Sequence, residues 1–327
     1  MQKSKGDLNS VIARINRIKE NADSSNRQIS SQSENLIFRQ FISKDIHDLL
    51  EAGFPHDYKL KQPLIDRLFE RFGVRPLGKG LVAYQTQEKK TIGYLRLIKH
   101  RRWLYSIRFV FTNPQFRRMG VASNLLDFAF SRARSEGGKK VFLNVYPDAH
   151  TIIDLYSKCG LERISRGYEV WAFADVLKAC APSEIKNKFK ALDLKSESSR
   201  KRIFTICQNC MGDKWTDFFE IHNNNLSDGF SGEFQRFAFK QVLVDDSLDT
   251  CAFIFKRPMT KIAHIEMIAP KDSEFINIFD ALILNSHKLH INRLYMKLFN
   301  INDDLFISLL KKRGFYKFHS ICMGKHL

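Results

Sequence analysis

The tightest constraint on this chain is the break between two regular segments: Asn113-Pro114, then Gln115-Phe116-Arg117-Arg118-Met119-Gly120-Val121-Ala122. The residues before it, Trp103 to Thr112, are rich in aromatic and β-branched side chains and read as a strand. Proline has no N–H to give to a ladder, so the chain must leave the sheet at Pro114. Beyond the break, Leu125, Leu126, Phe128, Ala129 and Phe130 supply the apolar side of a helix expected over Val121–Ser135, and Gly137-Gly138 stop it. A helix that begins here presents unpaired backbone N–H groups, reinforced by the partial positive charge of its dipole. Gly120 lets an oxygen come close to the backbone, and Ala122 keeps the first turn uncrowded. Arg117 and Arg118 add full charges suited to bidentate contacts with phosphate. The loop has the makings of a phosphate cradle.

The rest of the sequence agrees with such a ligand. A formal charge of +18 over 327 residues and a pI near 9.6 favour polyanionic company: nucleotide cofactors, RNA, DNA or an anionic membrane face. An ordinary basic protein accounts for the charge equally well. With 44% hydrophobic residues, 28 Phe among them, the chain can fill real cores and is not intrinsically disordered. Its length fits two domains. The cysteines at 159, 180, 207, 210, 251 and 322 form no disulfide framework. Cys207 and Cys210 make a C-x-x-C without the second pair a zinc ribbon needs, so thiols on a helix face are expected, and no metal site. No apolar run approaches the ~18 residues of a membrane span, and no signal-like core opens the sequence, so a cytoplasmic chain is expected.

Residues 7–20 carry Leu8, Val11, Ile12, Ile15 and Ile18 at helical spacing, with Arg14, Arg17 and Lys19 between them. This short amphipathic helix must bury its stripe on its own domain, on a second subunit in a homodimer, or on a membrane. Polar residues 23–34 follow as a linker. A strand over Leu36–Gln40 comes next, then a helix capped by Ser43 and running to Leu50, and a second over Pro63–Phe72. Leu81–Gln85 and Thr91–Ile98 form a hairpin. After the helix at Val121 come a buried strand, Val141–Val145, a helix over Ile152–Lys158 closed by Gly160, and an edge or swapped strand, Tyr168–Phe173. The Lys- and Ser-rich stretch 181–200 marks a domain boundary.

Arg117, Gly120 and Ala122 after a strand and Pro114 resemble the Arg/Gln-x-x-Gly-x-Gly/Ala signature of the GNAT acetyltransferase superfamily. A second block, Ile152-Ile153-Asp154-Leu155-Tyr156-Ser157-Lys158-Cys159-Gly160-Leu161, is similar to that family's A-I-x-L-Y-x-K-x-G-F helix. The resemblance spans roughly Leu36 to Phe173. It implies an N-acyltransferase that uses acetyl-CoA, or another acyl-CoA, as co-substrate. Val110, Phe111, Thr112, Gln115, Arg117, Arg118, Met119, Gly120, Val121, Ala122 and Ser123 would hold the coenzyme. A β-bulge in the strand would free a backbone N–H near Val110 for the oxyanion, and Tyr156 would protonate the leaving thiolate. An amine acceptor would attack the thioester directly. The sequence departs from the family where its helix-opening Asn would fall, at Ala149. No carboxylate stands on the strand either, which offers Ser106 and Arg108, while His100 and Glu88 are expected at the surface.

Residues 201–327 repeat the order of the first half. Phe237–Val244 and Thr250–Phe255 form a hairpin around Asp245-Asp246, followed by a strand Ala263–Ile268, a helix Ser273–Lys288, a strand Arg293–Phe299 and a helix Asp303–Lys312. The loop after Pro270 carries Asp272 and Glu274 and no Arg-x-x-Gly, so it would repel a pyrophosphate. The expected fold is therefore α/β in the α+β sense: two GNAT-like mixed-sheet domains in tandem, with the second degenerate. The divisions are an N-terminal segment 1–34, a coenzyme-binding domain 35–180, a linker 181–200 and a second domain 201–327. Two alternatives stay open. One is a non-catalytic acyl-CoA-sensing or RNA-associated binding protein. The other is a toxin-like acetyltransferase acting on aminoacyl-tRNA, to which Lys99, Arg101 and Arg102 would steer RNA.

Overall fold

Runs of β-branched and aromatic residues between polar turns make strands the commonest element of the described chain. The computed structural model describes residues 35–54, 78–165, 168–175, 189–222, 238–245, 251–256, 262–268, 290–291, 293–301, 308 and 316–327. The chain falls into two compact units, Met1–Val141 with His326–Leu327, and Phe142–Lys325. This division differs from the one expected at residues 181–200. The expected helices at 7–20, 63–72, 273–288 and 303–312 lie outside the described residues, apart from Ser308.

The first unit contains β1 (Leu36–Gln40), α1 (Asp45–Glu51), β2 (Lys79–Gln85), β3 (Lys90–Lys99), β4 (Leu104–Thr112) and α2 (Val121–Ser135). The strands pair antiparallel in the order β1-β2-β3-β4. Successive residues of a strand point to opposite faces, and Val82 and Ala83 accordingly join different clusters. Val82 packs with Phe41, Leu49, Phe54 and Tyr94 on the side of α1. Ala83 packs with Ile92, Phe116 and Val121 on the side of α2. Ser43 does not cap α1, as its hydroxyl chemistry led us to expect: Lys44 holds the N-cap position without a side-chain bond. Asp45, buried to 1% exposure, does the anchoring instead. Its carboxylate accepts from the Ile42 N–H at 2.7 Å, the Thr91 hydroxyl at 2.6 Å and the Arg39 guanidinium at 2.8 and 2.6 Å. Local hydroxyl capping lost to a buried ion pair that ties α1 to β1 and β3.

Strand β5 (Lys140–Val145) starts in the first unit and continues into the second. There follow α3 (His150–Lys158), β6 (Glu162–Arg163), β7 (Tyr168–Asp175), β8 (Phe189–Leu192), α4 (Glu197–Met211), α5 (Asp213–Phe218), β9 (Ala238–Asp245), β10 (Cys251–Lys256), β11 (Ile262–Ile268), β12 (Arg293–Ile301) and β13 (Tyr316–His326). The sheet of this unit runs β13-β7-β12-β11-β10-β9-β8, with β11 and β12 parallel. Antiparallel pairs join β7 to β12 and β13, and β10 to its two neighbours. The result is a mixed sheet with helices, as the expected fold class requires.

Strand β7 is not an edge. It hydrogen-bonds on both sides, to β12 and β13. Within the expected linker, residues 189–192 form β8 and α4 begins at Glu197. Lys- and Ser-rich composition disguised β8, whose partner β9 lies far along the chain, whereas a short helix in this stretch was expected.

Candidate functional site

The middle of β4 departs from regular pairing. Arg108 faces Arg96 and Phe111 faces Tyr94, so Phe109 and Val110 together oppose Leu95. Two residues opposite one is a β-bulge, and Phe109 takes a left-handed conformation there, with φ 57°. A bulge leaves a residue out of the ladder and turns the strand end away from its neighbour. From Arg108 to Thr112 the side chains are half-buried, while Leu104 to Ile107 are buried. The Thr112 hydroxyl oxygen is buried without a hydrogen-bond partner among the described residues, a polar atom that a ligand could satisfy.

Beyond β4 the chain makes a tight turn. Asn113 accepts from the Gln115 N–H at 3.1 Å, and its own N–H reaches the Ile92 carbonyl at 2.7 Å. Pro114–Phe116 form a short 3-10 turn, whose buried Phe116 pins the loop to the sheet. Arg118 and Gly120 both have positive φ, 66° and 76°. Gly120 is the N-cap of α2, and no side chain caps the helix. Its first turn holds no acid. The Ser123 hydroxyl turns back onto the Gly120 carbonyl at 2.8 Å. The first-turn N–H groups of Val121, Ala122 and Ser123 thus face outward with no carboxylate in competition.

Each predicted loop residue can now be placed. Gln115, Arg117, Arg118, Met119 and Gly120 are exposed, Met119 to 62%. Ala122 and Ser123 are partly exposed. Val121 is buried, and a Cβ added at Gly93 would lie 3.1 Å from its side chain. Only the backbone of Val121 is therefore available to a ligand. Gly93 itself was a missed contributor: it lets α2 start close to the sheet, and a glycine inside a strand was the signal for such an approach. The bulge was expected near Val110, and the structure places its left-handed residue at Phe109.

Tyr156 lies on α3, in the second unit, and is buried to 7%. Burial, and secondarily the nearby Cys159 thiol, push its phenol above the usual range, so it stays protonated at neutral pH. Ala149 is the N-cap of α3, where the family's Asn was missing, and no side chain caps that helix. His100, expected at the surface, is buried to 4%, with its Nε2 2.7 Å from the Ser106 hydroxyl oxygen. Glu88 is exposed, as expected. Arg101 and Lys140 lie over the Trp103 ring at 5.4 and 5.2 Å, and Lys99 lies over Tyr105 at 5.4 Å, so these cations are partly engaged by aromatic faces. His47, Asp48 and Glu51 gather on α1, but Asp48 accepts from the Thr91 N–H at 2.7 Å and His47 and Glu51 are a surface i,i+4 pair.

A bulged strand leads through a left-handed turn into a helix without a side-chain cap, an arrangement that leaves backbone N–H groups of the first turn without a capping partner. Residues 43–161 match the model of the Acetyltransferase (GNAT) family. Members of the family are acyltransferases that use acyl-CoA. No curated protein matches the sequence. Several solved structures are similar. A GCN5-related N-acetyltransferase from Sphaerobacter thermophilus is 10% identical, with TM-score 0.47, covering 91% of this chain and 97% of its own. A tandem GNAT protein from the clavulanic acid biosynthesis pathway is 10% identical, with TM-score 0.41, covering 89% and 98%. Ard1 from Thermoplasma volcanium is 25% identical, with TM-score 0.32, covering 39% and 84%. Among the described residues, no helix is long and apolar enough to cross a membrane.

Proposed function

We propose that the protein is an N-acyltransferase that moves an acetyl group from acetyl-CoA to an amine. The observation that carries this reading is the start of α2: a left-handed Gly120, no cap, no acid in the first turn, and Arg117 and Arg118 just before it. That arrangement suits a pyrophosphate, and the orphaned Thr112 hydroxyl suits the polar chain attached to it. Acetyl-CoA supplies the acyl group as an activated thioester. The backbone of Val110, Phe111 and Thr112 holds the pantetheine arm, and Gln115 and Arg117–Ser123 hold the phosphates. The bulge at Phe109 frees an N–H near Val110 to polarise the carbonyl oxygen as the amine attacks. Tyr156 returns a proton to the departing sulfur. Its role rests on the sequence resemblance and on a phenol that keeps its proton.

The tandem organisation belongs to the same proposal: a coenzyme-binding segment 35–180, and a degenerate GNAT-like segment 201–327 that shapes or supports the acceptor side. The antiparallel run β9-β10-β11 followed by β12 repeats the succession β2-β3-β4 followed by β5.

A second reading is a protein that binds acyl-CoA without turnover. Ala149 at the N-cap of α3 and the lack of a carboxylate beside Ser106 and Arg108 favour it. Thiol release from acetyl-CoA over a panel of amines separates the two. Turnover by wild type, with kcat reduced on the order of 100-fold in Tyr156→Phe and KM for acetyl-CoA unchanged, supports the enzyme with Tyr156 as acid. Coenzyme binding by calorimetry with no thiol release for any amine overturns it in favour of the second reading.

A further inference from the structure

The positive charge of the chain is concentrated. Residues 78–141 hold 14 Lys and Arg against three Asp and Glu, so 11 of the 18 net positive charges fall within that stretch. The coenzyme loop uses Arg117 and Arg118. A larger group gathers at the other end of α2. Lys99, Arg101 and Arg102 mark the tip of the β3–β4 hairpin. Arg132 and Arg134 stand in the last turn of α2, and Lys139 and Lys140 lead into β5.

Printed in the geometry is one continuous surface of the first unit. The N–H groups of Lys139 and Lys140 donate to the Trp103 carbonyl at 2.8 and 3.0 Å, which clamps the hairpin tip to the turn after α2. Arg101 and Lys140 lie over the Trp103 ring at 5.4 and 5.2 Å. Lys99 donates to the Glu136 carbonyl at 3.3 Å. One oxygen of the Glu136 carboxylate accepts from Lys79 of β2 at 2.8 Å and from Arg132 at 2.6 Å. Like charges here therefore stand well inside the screening length of ~8 Å at physiological salt. Glu136 is the one acidic side chain among the described residues of this surface. With the helix end, worth about half a negative charge, it leaves most of the charge of eight cations unbalanced. Such a surface costs the unit stability through self-repulsion. The phosphate cradle does not account for it, because the 15 residues of α2 put about 22 Å between the two ends of that helix.

We propose that this surface binds single-stranded RNA. Four of its cations are arginines, whose flat forks grip phosphate oxygens in pairs and stack on bases. Trp103 is half-exposed and fixes the heads of Arg101 and Lys140 at its ring. Two phosphate donors are thus pre-organised beside an aromatic side chain of the kind on which unpaired bases stack. A duplex reader sends a helix or a two-stranded ribbon into the major groove. Here α2 arrives with its C-terminal carbonyls, which repel phosphate, and the hairpin tip spans only residues 100–103. A membrane-surface site buries apolar side chains. The exposed large apolar residues of the described chain, Ile37, Ile42, Leu50, Met119, Tyr146 and Ile152, all lie outside this surface. Unpaired strands are the ordinary state of RNA loops and ends, which selects RNA over DNA.

Fluorescence anisotropy of the full chain with a labelled oligouridylate on the order of 20 nucleotides tests this. Affinity should fall as salt rises with a log–log slope of about −3, the value for about four phosphate contacts. Arg102→Ala with Lys139→Ala, both exposed in the wild type, should weaken binding about tenfold and flatten the slope by about 1.4, with coenzyme A affinity unchanged. Lys44→Ala with Lys90→Ala removes the same charge elsewhere in the unit and should leave RNA binding as it was. Arg117→Ala with Arg118→Ala should also leave it, so this inference and the coenzyme reading fail separately. The wild-type isotherm stands even where a variant fails to fold. No binding at low salt overturns the proposal, as does an equal loss in the Lys44 and Lys90 variant (bulk charge alone). Tighter binding to single-stranded DNA, to a DNA duplex or to phosphatidylserine vesicles overturns it as well.

Discussion

Two helices of the same length, α2 and α4, begin in opposite ways. Each has 15 residues. Helix α2 starts from Gly120 with φ 76°, follows two arginines, and carries no acid in its first turn. Helix α4 starts from Ser196 in an extended conformation and places Glu197 in its first turn. The Glu197 carboxylate lies 2.9 Å from Lys201, which by hydrogen bonding and charge holds it below the usual carboxylate range. The dipole of α4 is thus answered from within the chain, and that of α2 is left for something else to answer. An unanswered helix start costs a little stability, and its presence beside arginines makes sense as a receptor for an anion. The contrast is one of sequence as much as of geometry, since a first-turn acid, a preceding arginine pair and a left-handed glycine separate the two cases.

Four changes would break or sharpen that contrast. Ala122→Glu gives α2 the acid that α4 has, and should weaken coenzyme A binding by 100-fold or more (about 3 kcal/mol) in calorimetry while leaving the helix content unaltered. Unchanged affinity would mean that the phosphates do not sit at this helix. Arg117→Ala with Arg118→Ala keeps the open dipole and removes the flanking charge. About tenfold weaker binding is expected, with a flatter dependence on salt than wild type.

Glu136 tests the other end of α2. It accepts from Lys79 at 2.8 Å and Arg132 at 2.6 Å, and these partners outweigh the effect of its burial and hold its carboxyl below the usual value. A depressed carboxyl stabilises the fold above its unfolded value near 4.3 and loses that contribution as pH falls through the folded value. Glu136→Gln should therefore cost about 1–2 kcal/mol at pH 7, and the difference from wild type should shrink below about pH 4.3, as followed by denaturant unfolding at several pH values. The smallest effect is expected from Glu197→Gln, which opens α4. Because no arginine pair or left-handed turn precedes it, coenzyme A titration should still find a single site.

Much of this was legible in the sequence because glycines and proline punctuate it. Helix α2 has the bounds its pattern gave, Val121–Ser135, since Gly120 and Gly137 close both ends and the apolar spacing fills the middle. Strand β4 ends where Asn113-Pro114 demands. What escaped notice depends on partners distant in the chain. Nothing local in Tyr168–Asp175 says that β7 will lie between β12 and β13. The last strand, Tyr316–His326, follows Gly314, but its partners β6 and β7 lie far back in the chain. The bulge was anticipated through the family resemblance, yet its left-handed residue is Phe109, a side chain that rarely takes that conformation, so propensity points away from it. Ser43 misled because a hydroxyl before a helix is a good local signal, and it was outbid by the Arg39–Asp45 pair.

The order of synthesis bears on one bond of the first unit. The N–H of Leu327 donates to the Lys139 carbonyl at 2.8 Å, and His326–Leu327 count with the first unit although they follow the whole of the second. At ribosomal rates of about 5–20 residues per second, the 188 residues between these partners (327 less 139) take roughly 10–40 s to emerge. Through that interval the Lys139 carbonyl lacks this partner. Completion of the bond waits on residues made after the whole of the second unit.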